Sequence, residues 1–270
     1  TGTALTTPAW IITPDATSQY VIYSTDEWTA VVPASDTFDV PVTDVLVAAD
    51  LVYFARGNAV NVLKMEWNSA TPGHNFRDDA GMNSEADFLH GFTDTTNSFQ
   101  MFFGRNDTVS LWRHSTVAYA SNLGTGTNIT IGDAAALITN IHDYNGTIYV
   151  FKEDGIYQVA SDKALREDTG LNFIPSSNLG EAVINRNFFM YFSWGGYALQ
   201  QFQKNSSIID MASIGPDRGE GMPSGRGGPI SHLGFHPAGL FAAIDAGSSG
   251  TSSVLVRTDP TGWHEVFRAP

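Results

Sequence analysis

Short hydrophobic stretches recur along the chain, and turn-forming residues separate them. The two most similar copies are VTDV at 42–45 with VYFAR at 52–56, and ITNI at 138–141 with IYVFK at 148–152. These copies align without a gap. Short runs rich in Val, Ile, Tyr and Phe predict β-strands, and the 3.6-residue period of a helix is absent.

The pattern repeats at near-even spacing. The match between the two copies continues from residues 60–62 onto 156–158. Further copies extend the series, so that the second strand of each begins at residue 52, 99, 148, 190 or 240, with intervals of 47, 49, 42 and 50 residues. A period of about 40–50 residues is typical of the four-stranded blade of a β-propeller, whereas leucine-rich and hexapeptide repeats are shorter.

The copy that starts at residue 138 shows the strands of one blade most clearly. Residues 138–141 predict the first strand, and Asn145-Gly146 predicts a tight hairpin because both positions of such a turn need positive φ. Residues 147–151 and 156–160 predict the second and third strands. Residues 163–168 lack strand character, so a loop or a short helical turn is expected there.

The two ends of the chain complement each other. The last copy predicts a third strand at 253–257, a turn at 259–262 and a fourth strand at 263–267. The N-terminus predicts only the second, third and fourth strands of a first blade, at residues 10–13, 20–23 and 28–32. We expect the missing innermost strand to come from chain before Thr1 or from an unusual closure, because an open propeller exposes unpaired strand edges.

These patterns predict an all-β fold in which residues 1–270 form a single β-propeller of about six four-stranded blades. A seventh blade would require additional chain. The predicted blades span residues 1–36, 37–84, 85–133, 134–178, 179–226 and 227–270.

Composition narrows the function classes. The chain of 270 residues has 14 Lys and Arg against 28 Asp and Glu, a net charge of −14, which disfavours nucleic acid and anionic membrane surfaces as partners. It has no cysteine, which excludes disulfides and thiolate metal sites. No apolar run approaches the roughly 18 residues of a membrane span, so no membrane insertion is expected.

Two segments resemble known proteins. TIYVFKEDGIYQ at 147–158 is similar to the paired inner strands of β-propeller proteins in the virions of tailed bacteriophages. IGPDRGEGMP at 214–223, which runs on to GPI at 228–230, is similar to the linker between blades in such tail-associated proteins. The resemblance implies a structural or host-adhesion role on a virus particle, and it implies no catalytic residue.

Catalytic and metal-binding motifs are weak. The segment RTDPTGW at 257–263 approaches the Asp box of sialidase-type propellers, but its Gly-Trp spacing is too short. His232 and His236 lie in a segment that predicts strand and turn, so they would not share a helix face as zinc-binding pairs do. Loop carboxylates such as Asp78, Asp79, Glu85, Asp87, Asp217 and Glu220 could supply a glycosidase pair, although any acidic loop protein offers as many. We therefore expect no enzyme, no cofactor and no metal.

Two long segments, residues 68–87 and 215–229, predict loops. Long loops in compact domains tend to be functional or disordered. With the aromatic residues nearby they would form a subunit contact or, less favoured, a sugar-binding surface. The residues expected to take part are Trp67, His74, Phe76, Asp78, Asp79, Asp217, Arg218, Glu220 and Arg226.

The sequence therefore favours a non-enzymatic structural or interaction protein of a virus particle, located in the virion or outside the cell. Its expected partners are other virion proteins and, within the assembly, further copies of itself. A contribution to host attachment through a cell-surface glycan is an extension of this prediction. A carbohydrate-binding adhesin is the first alternative, and a propeller glycoside hydrolase is the second.

Overall fold

The structure is a computed structural model. It describes residues 9–13, 20–24, 28–30, 42–48, 51–68, 73–78, 85–93, 99–108, 110–114, 126–132, 134–160, 163–167, 177, 179–194, 198–205, 208–215, 229–245, 252–258 and 262–268. All regular elements among these residues are β-strands, as the sequence predicts. The contacts divide the chain into two compact units, Thr1–Ile129 and Thr130–Pro270.

The first unit contains a three-stranded sheet, two four-stranded antiparallel sheets and a small two-stranded sheet. The three-stranded sheet consists of β1 (Ala9–Thr13), β2 (Tyr20–Ser24) and β3 (Trp28–Ala30). The first four-stranded sheet has β4 (Asp44–Ala48), β5 (Leu51–Ala55), β7 (Leu63–Asn68) and β8 (Gly73–Asp78). The small sheet pairs β6 (Gly57–Asn61) with β9 (Glu85–Ala86). The second four-stranded sheet has β10 (Phe88–Thr93), β11 (Phe99–Gly104), β12 (Ser110–His114) and β13 (Thr127–Thr130).

The second unit contains three four-stranded sheets, each built in chain order as a meander. One consists of β14 (Ile138–Tyr144), β15 (Thr147–Lys152), β16 (Gly155–Ala160) and β17 (Lys163–Arg166). The next consists of β18 (Val183–Arg186), β19 (Phe189–Trp194), β20 (Ala198–Asn205) and β21 (Ile208–Gly215). The last consists of β22 (Ile230–His236), β23 (Gly239–Ile244), β24 (Ser253–Thr258) and β25 (Gly262–Arg268).

The chain is a β-propeller whose described part has five four-stranded blades. The predicted number of six four-stranded blades is therefore one too high. The first predicted blade is present as the three strands β1, β2 and β3, which match the three strands that the N-terminal pattern indicates. Each four-stranded sheet lies within one of the segments predicted as a blade.

The predicted Asn-Gly hairpin is confirmed. Asn145 and Gly146 have φ angles of 48° and 75°, and the flanking residues Tyr144 and Thr147 pair directly across the two strands. Two central residues with positive φ form the turn whose twist matches that of the strands, and glycine and asparagine adopt this conformation at low cost. The hairpin fixes the register between β14 and β15.

Three local predictions are wrong. Residues 163–166 do not form a loop or a helical turn. They form strand β17, which pairs with β16. This outermost strand contains Lys163 and Arg166, and its pairing outweighs the weak hydrophobic pattern. Segment 68–87 is not one long loop, because residues 73–78 form β8 and pair with β7.

The third error concerns the ungapped alignment beyond residue 60. Tyr53 lies opposite Lys64, while the equivalent Tyr149 lies opposite Gln158. The first copy therefore has two more residues before its third strand. The extra strand β6, which pairs with β9, accounts for this insertion.

Two pairs of neighbouring blades are joined by contacts from the start of a first strand. In the first unit, the Thr43 hydroxyl donates to the carbonyl oxygen of Asp87 at 3.0 Å, and the Asp44 carboxylate accepts from the Leu89 amide at 2.8 Å. In the second unit, the Thr139 hydroxyl donates to the Leu179 carbonyl, and the Asn140 amide donates to Gly180. We call these two sets of contacts the Asp44 link and the Asn140 link.

The core consists of hydrophobic side chains buried between the sheets of each unit. In the first unit the cluster contains Ala48, Tyr53, Ala55, Val62, Ala86, Leu89, Met101 and Phe103. In the second unit one cluster contains Tyr144, Tyr149, Phe151, Ile156, Leu179, Met190, Phe192 and Phe202. A second cluster contains Trp263, whose indole N–H donates to the Ile214 carbonyl at 2.7 Å and joins the last blade to the one before it.

Candidate functional site

The residues predicted to form interaction loops fall into two groups. Trp67 lies in β7, and His74, Phe76 and Asp78 lie in β8, where the backbone register places Trp67 opposite His74. Their side chains are outside the described part of the structure. Asp79, Asp217, Arg218, Glu220 and Arg226 also lie outside the described residues. The first group is therefore on paired strands and not in a loop, and its role in binding stays a prediction.

The described residues form a polar cleft in the second unit, between the blade of β14–β17 and the blade of β18–β21. The cleft has a volume of about 480 Å³, which lies within the range of roughly 300–1,000 Å³ found for small-molecule sites. Its lining residues are Tyr144, Asn145, Thr147, Tyr149, Gln158, Lys204 and Asn205.

Hairpin geometry places these side chains. Tyr144 ends β14, and Asn145 occupies the tight turn before β15. Tyr149 and Gln158 come together because β15 and β16 pair them directly. Lys204 and Asn205 end β20 of the neighbouring blade. The cleft is thus a product of two adjacent hairpins.

Lys204 is the cation of the cleft, and its charge is neutralised. Its ammonium group forms an ion pair with the Glu167 carboxylate and donates to the side-chain oxygen of Gln158 at 2.9 Å. The side chains of Lys204 and Glu167 are mostly buried, with 18% and 10% exposed. Because burial reduces screening by solvent, the pair holds the two blades together more firmly than an exposed pair would.

Two of the lining residues, Tyr144 and Tyr149, belong to an aromatic cluster. Tyr144, Tyr149 and Phe202 contact one another edge to face, with ring centroids 5.5–6.2 Å apart. The Tyr144 hydroxyl donates to the Phe188 carbonyl at 2.6 Å and accepts from the Lys204 amide at 3.4 Å. These contacts fix Tyr144 against the blade of β18–β21.

Tyr149 stays protonated at every physiological pH. Burial raises the pKa of its phenol, and the nearby Glu167 carboxylate and Tyr144 add to the effect. A protonated phenol can donate a hydrogen bond but cannot serve as a base. The cleft therefore offers hydrogen-bonding groups and one neutralised ion pair.

The histidines and carboxylates that the structure describes do not form a metal-binding cluster. No group of three or more His, Asp or Glu side chains converges to hold a metal ion in the described part of the chain. His232 and His236 lie on the strand β22, as the sequence predicts. Glu85 and Asp87, two of the loop carboxylates, contact Arg105 and the Asn106 amide respectively.

Sequence reasoning did not identify the cleft. The Asn145-Gly146 turn gave its position along the chain, but Lys204 carries no motif and lies in a different blade. Asn145 and Asn205 each begin an Asn-x-Ser/Thr sequon, as do Asn106 and Asn128. All four asparagines are exposed.

Among the described residues, none belongs to a helix with the length and apolar character needed to span a bilayer.

No family model matches the chain, and no curated protein matches it either. Solved structures do resemble it. The extracellular domain of a candidate hybrid two-component system from B. thetaiotaomicron is 13% identical, with a TM-score of 0.60 over 98% of this chain and 34% of that chain. Sqt1 from Chaetomium thermophilum is 12% identical, with a TM-score of 0.59 over 93% of this chain and 64% of that chain.

A candidate 6-phosphogluconolactonase from Bacteroides fragilis is also similar. It is 10% identical, with a TM-score of 0.53 over 99% of this chain and 80% of that chain. This chain spans only 34–38% of the length of three B. thetaiotaomicron extracellular domains that it matches. At such identities the likeness shows the fold alone, and that fold is the β-propeller.

Proposed function

We propose that this chain is a non-enzymatic propeller that acts by binding other molecules. The observation that carries the proposal is that two buried cationic side chains bond to backbone carbonyls of the chain itself. The guanidinium of Arg56 donates to the Asn61 carbonyl at 2.7 and 3.0 Å, and the ammonium of Lys152 donates to the Ile131 carbonyl at 2.9 Å. These groups hold backbone in place, and Lys204 pairs with Glu167.

The proposed setting is an assembly outside the cell, with a virus particle as the preferred one. The resemblance of residues 147–158 to phage virion propellers supports this setting. Three of the similar structures are extracellular domains, which fits an external location. The net charge of −14 favours solubility and disfavours nucleic acid as a partner.

Fractionation of the source culture tests this role. The culture is separated on a density gradient. In each fraction an antibody detects the chain, and nuclease-protected DNA marks the particles. We expect the chain to sediment with the particles that protect DNA. A chain found only in the free protein fractions would overturn the particle setting.

An enzyme assay addresses the non-catalytic part of the proposal. We expect no turnover of a panel of polysaccharides and sugar lactones by the purified chain. Turnover that disappears in the variants Asp78→Asn or Glu167→Gln would overturn the proposal, because it would assign a carboxylate a chemical role.

A carbohydrate-binding adhesin is the second candidate function. The polar cleft between the two blades favours it, since this site is large enough for a small ligand and its ion pair carries no net charge. The two candidates are compatible, because a propeller in an assembly can also present a glycan site.

A further inference from the structure

The cleft presents groups that both donate and accept hydrogen bonds. Asn145, Gln158 and Asn205 contribute side-chain amides, and Thr147 contributes a hydroxyl. Each amide has two N–H donors and one carbonyl acceptor, and a hydroxyl group does both. Such a set matches a ligand whose own groups donate and accept in the same way, which is the property of a polyol.

Charge argues for a neutral ligand. Lys204 is already paired with Glu167, and Gln158 occupies a further donor position of its ammonium group. An anion would compete with the Glu167 carboxylate, and a cation would compete with Lys204. The net charge of −14 adds a general repulsion of anions.

An exposed aromatic residue is hydrogen-bonded through its backbone to Tyr144, which lines the cleft. Phe188 occupies the two-residue turn between β18 and β19, and 72% of it is exposed. Its carbonyl oxygen accepts from the Tyr144 hydroxyl at 2.6 Å, which fixes the turn beside a residue that lines the cleft. A large exposed aromatic side chain provides apolar contact area at low entropic cost. One face of a pyranose ring is rich in C–H groups, and it packs well on such a ring.

We propose that this cleft binds a neutral carbohydrate. Asn145, Thr147 and Asn205 hydrogen-bond to the sugar hydroxyls, and Phe188 supplies the apolar contact. The inference rests on the binding role proposed above and names the ligand class for it. The volume of about 480 Å³ accommodates a monosaccharide unit with its bound water.

Isothermal titration calorimetry with simple sugars tests the ligand class. The chain is produced in a bacterial host that adds no N-linked glycans, because Asn145 and Asn205 begin sequons. The neutral probes are glucose, galactose, mannose and N-acetylglucosamine, and the anionic probes are glucuronate and inorganic phosphate. We expect at least one neutral sugar to bind and both anions to bind more weakly. Absence of binding by all four neutral sugars, or tighter binding of either anion, overturns the inference.

Variants test the location of the site. We expect Thr147→Val and Phe188→Ala each to weaken binding of the sugar identified above about tenfold, or about 1.4 kcal/mol. The matched controls are Thr130→Val and Phe267→Ala, which alter an exposed threonine and an exposed phenylalanine outside the cleft lining. The controls should retain full affinity, and all four variants should retain the wild-type thermal unfolding temperature. Unchanged affinity in both cleft variants overturns the site.

The two proposals fail in different ways. A chain that sediments with particles but binds no neutral sugar loses the carbohydrate site and keeps its interaction role. A chain that binds sugar in the cleft but never sediments with particles keeps the site and loses the particle setting.

Discussion

The Asp44 link and the Asn140 link join neighbouring blades at the same position of the repeat, one in each unit. Both begin with a threonine that donates its hydroxyl to a carbonyl oxygen ahead of the next first strand. The acceptors are the carbonyls of Asp87 and Leu179. Thr43 is exposed, whereas Thr139 is buried. The threonine contact is thus shared, but its environment differs.

The residue after the threonine acts in opposite ways in the two links. Asp44 accepts from the amides of Val45 and Leu89, both at 2.8 Å. Asn140 accepts from Ile141 at 2.8 Å but donates to the carbonyls of Gly180 and Glu181 at 2.8 and 3.1 Å. The next blade therefore offers a donor in one unit and acceptors in the other. Aspartate suits only the first case, and an amide suits the second.

The largest effect is expected from Asn140→Asp. One carboxylate oxygen would still accept from the Ile141 amide, but the oxygen that replaces the amide nitrogen would face the carbonyls of Gly180 and Glu181 with no proton to donate. Placing a negative charge against two acceptors in a partly buried position is costly. We expect the free energy of unfolding to fall by about 3 kcal/mol, as measured by urea denaturation with circular dichroism. Asn140→Ala is the control, since it removes the hydrogen bonds without adding charge. Equal losses in both variants would contradict the reversal of hydrogen-bond direction.

A smaller effect is expected when either threonine hydroxyl is removed, and the loss in the free energy of unfolding should differ between the two positions. Thr139→Val leaves the buried Leu179 carbonyl without its hydroxyl donor and should cost about 2 kcal/mol. Thr43→Val should cost about 0.5 kcal/mol, because solvent replaces the lost bond at an exposed position. Urea denaturation of the two variants side by side gives the comparison. A greater loss of stability in Thr43→Val than in Thr139→Val would contradict the expected effect of burial.

The reciprocal change Asp44→Asn should destabilise the chain by about 1 kcal/mol. The amide nitrogen cannot accept from the Leu89 N–H, so one backbone donor loses its partner. The loss is smaller than for Asn140→Asp because the variant also removes a charge that burial disfavours. Hydrogen exchange of the Leu89 amide is a direct measurement, and we expect it to become faster. Unchanged exchange would contradict the contact.

The smallest effect is a difference in pH dependence. Burial raises the pKa of Asp44 above its usual 3.8, although the amides of Leu89 and Val45 and the nearby His90 act in the opposite direction. A carboxyl whose pKa is higher in the folded state binds more protons there, so its contribution to stability falls as pH rises through the interval between the two pKa values. The gap in stability between wild type and Asp44→Asn should therefore be largest below pH 3.8 and should narrow above it.

The Asn140 link provides the reference for this pH experiment. It uses a neutral asparagine and the Leu179 carbonyl, so the gap between wild type and Asn140→Ala should not change over the same interval. Unfolding in urea at a series of pH values measures both gaps. A gap for Asp44→Asn that widens with rising pH would contradict the raised pKa.

The repeat and its strands could be predicted from sequence because they depend on local patterns. The hydrophobic residues of each second strand predicted the blades. The Asn145-Gly146 turn predicted the register between β14 and β15. Strand β17 could not be predicted, because it forms through pairing with β16 and two of its four residues, Lys163 and Arg166, are charged. The insertion of β6 escaped detection because the neighbouring residues happen to match without a gap.

The cleft could not be predicted from the sequence, and the reason is different. Tyr149 and Gln158 could be placed opposite each other from the strand pattern, but Lys204 comes from the next blade, and its pairing with Glu167 depends on packing between blades. The two links show the same limit. VTDV and ITNI look interchangeable in sequence, yet the direction of their hydrogen bonds is set by the partner strand.

The indole of Trp263 gives this molecule a built-in optical reporter. Trp263 is 3% exposed, and its N–H is bonded to the Ile214 carbonyl of the preceding blade. Separation of the last blade from its neighbour would bring this ring into water and shift its fluorescence emission to longer wavelength. A tryptophan retained only at this position would therefore let the loosening of one blade be followed in real time, separately from the unfolding of the rest of the chain.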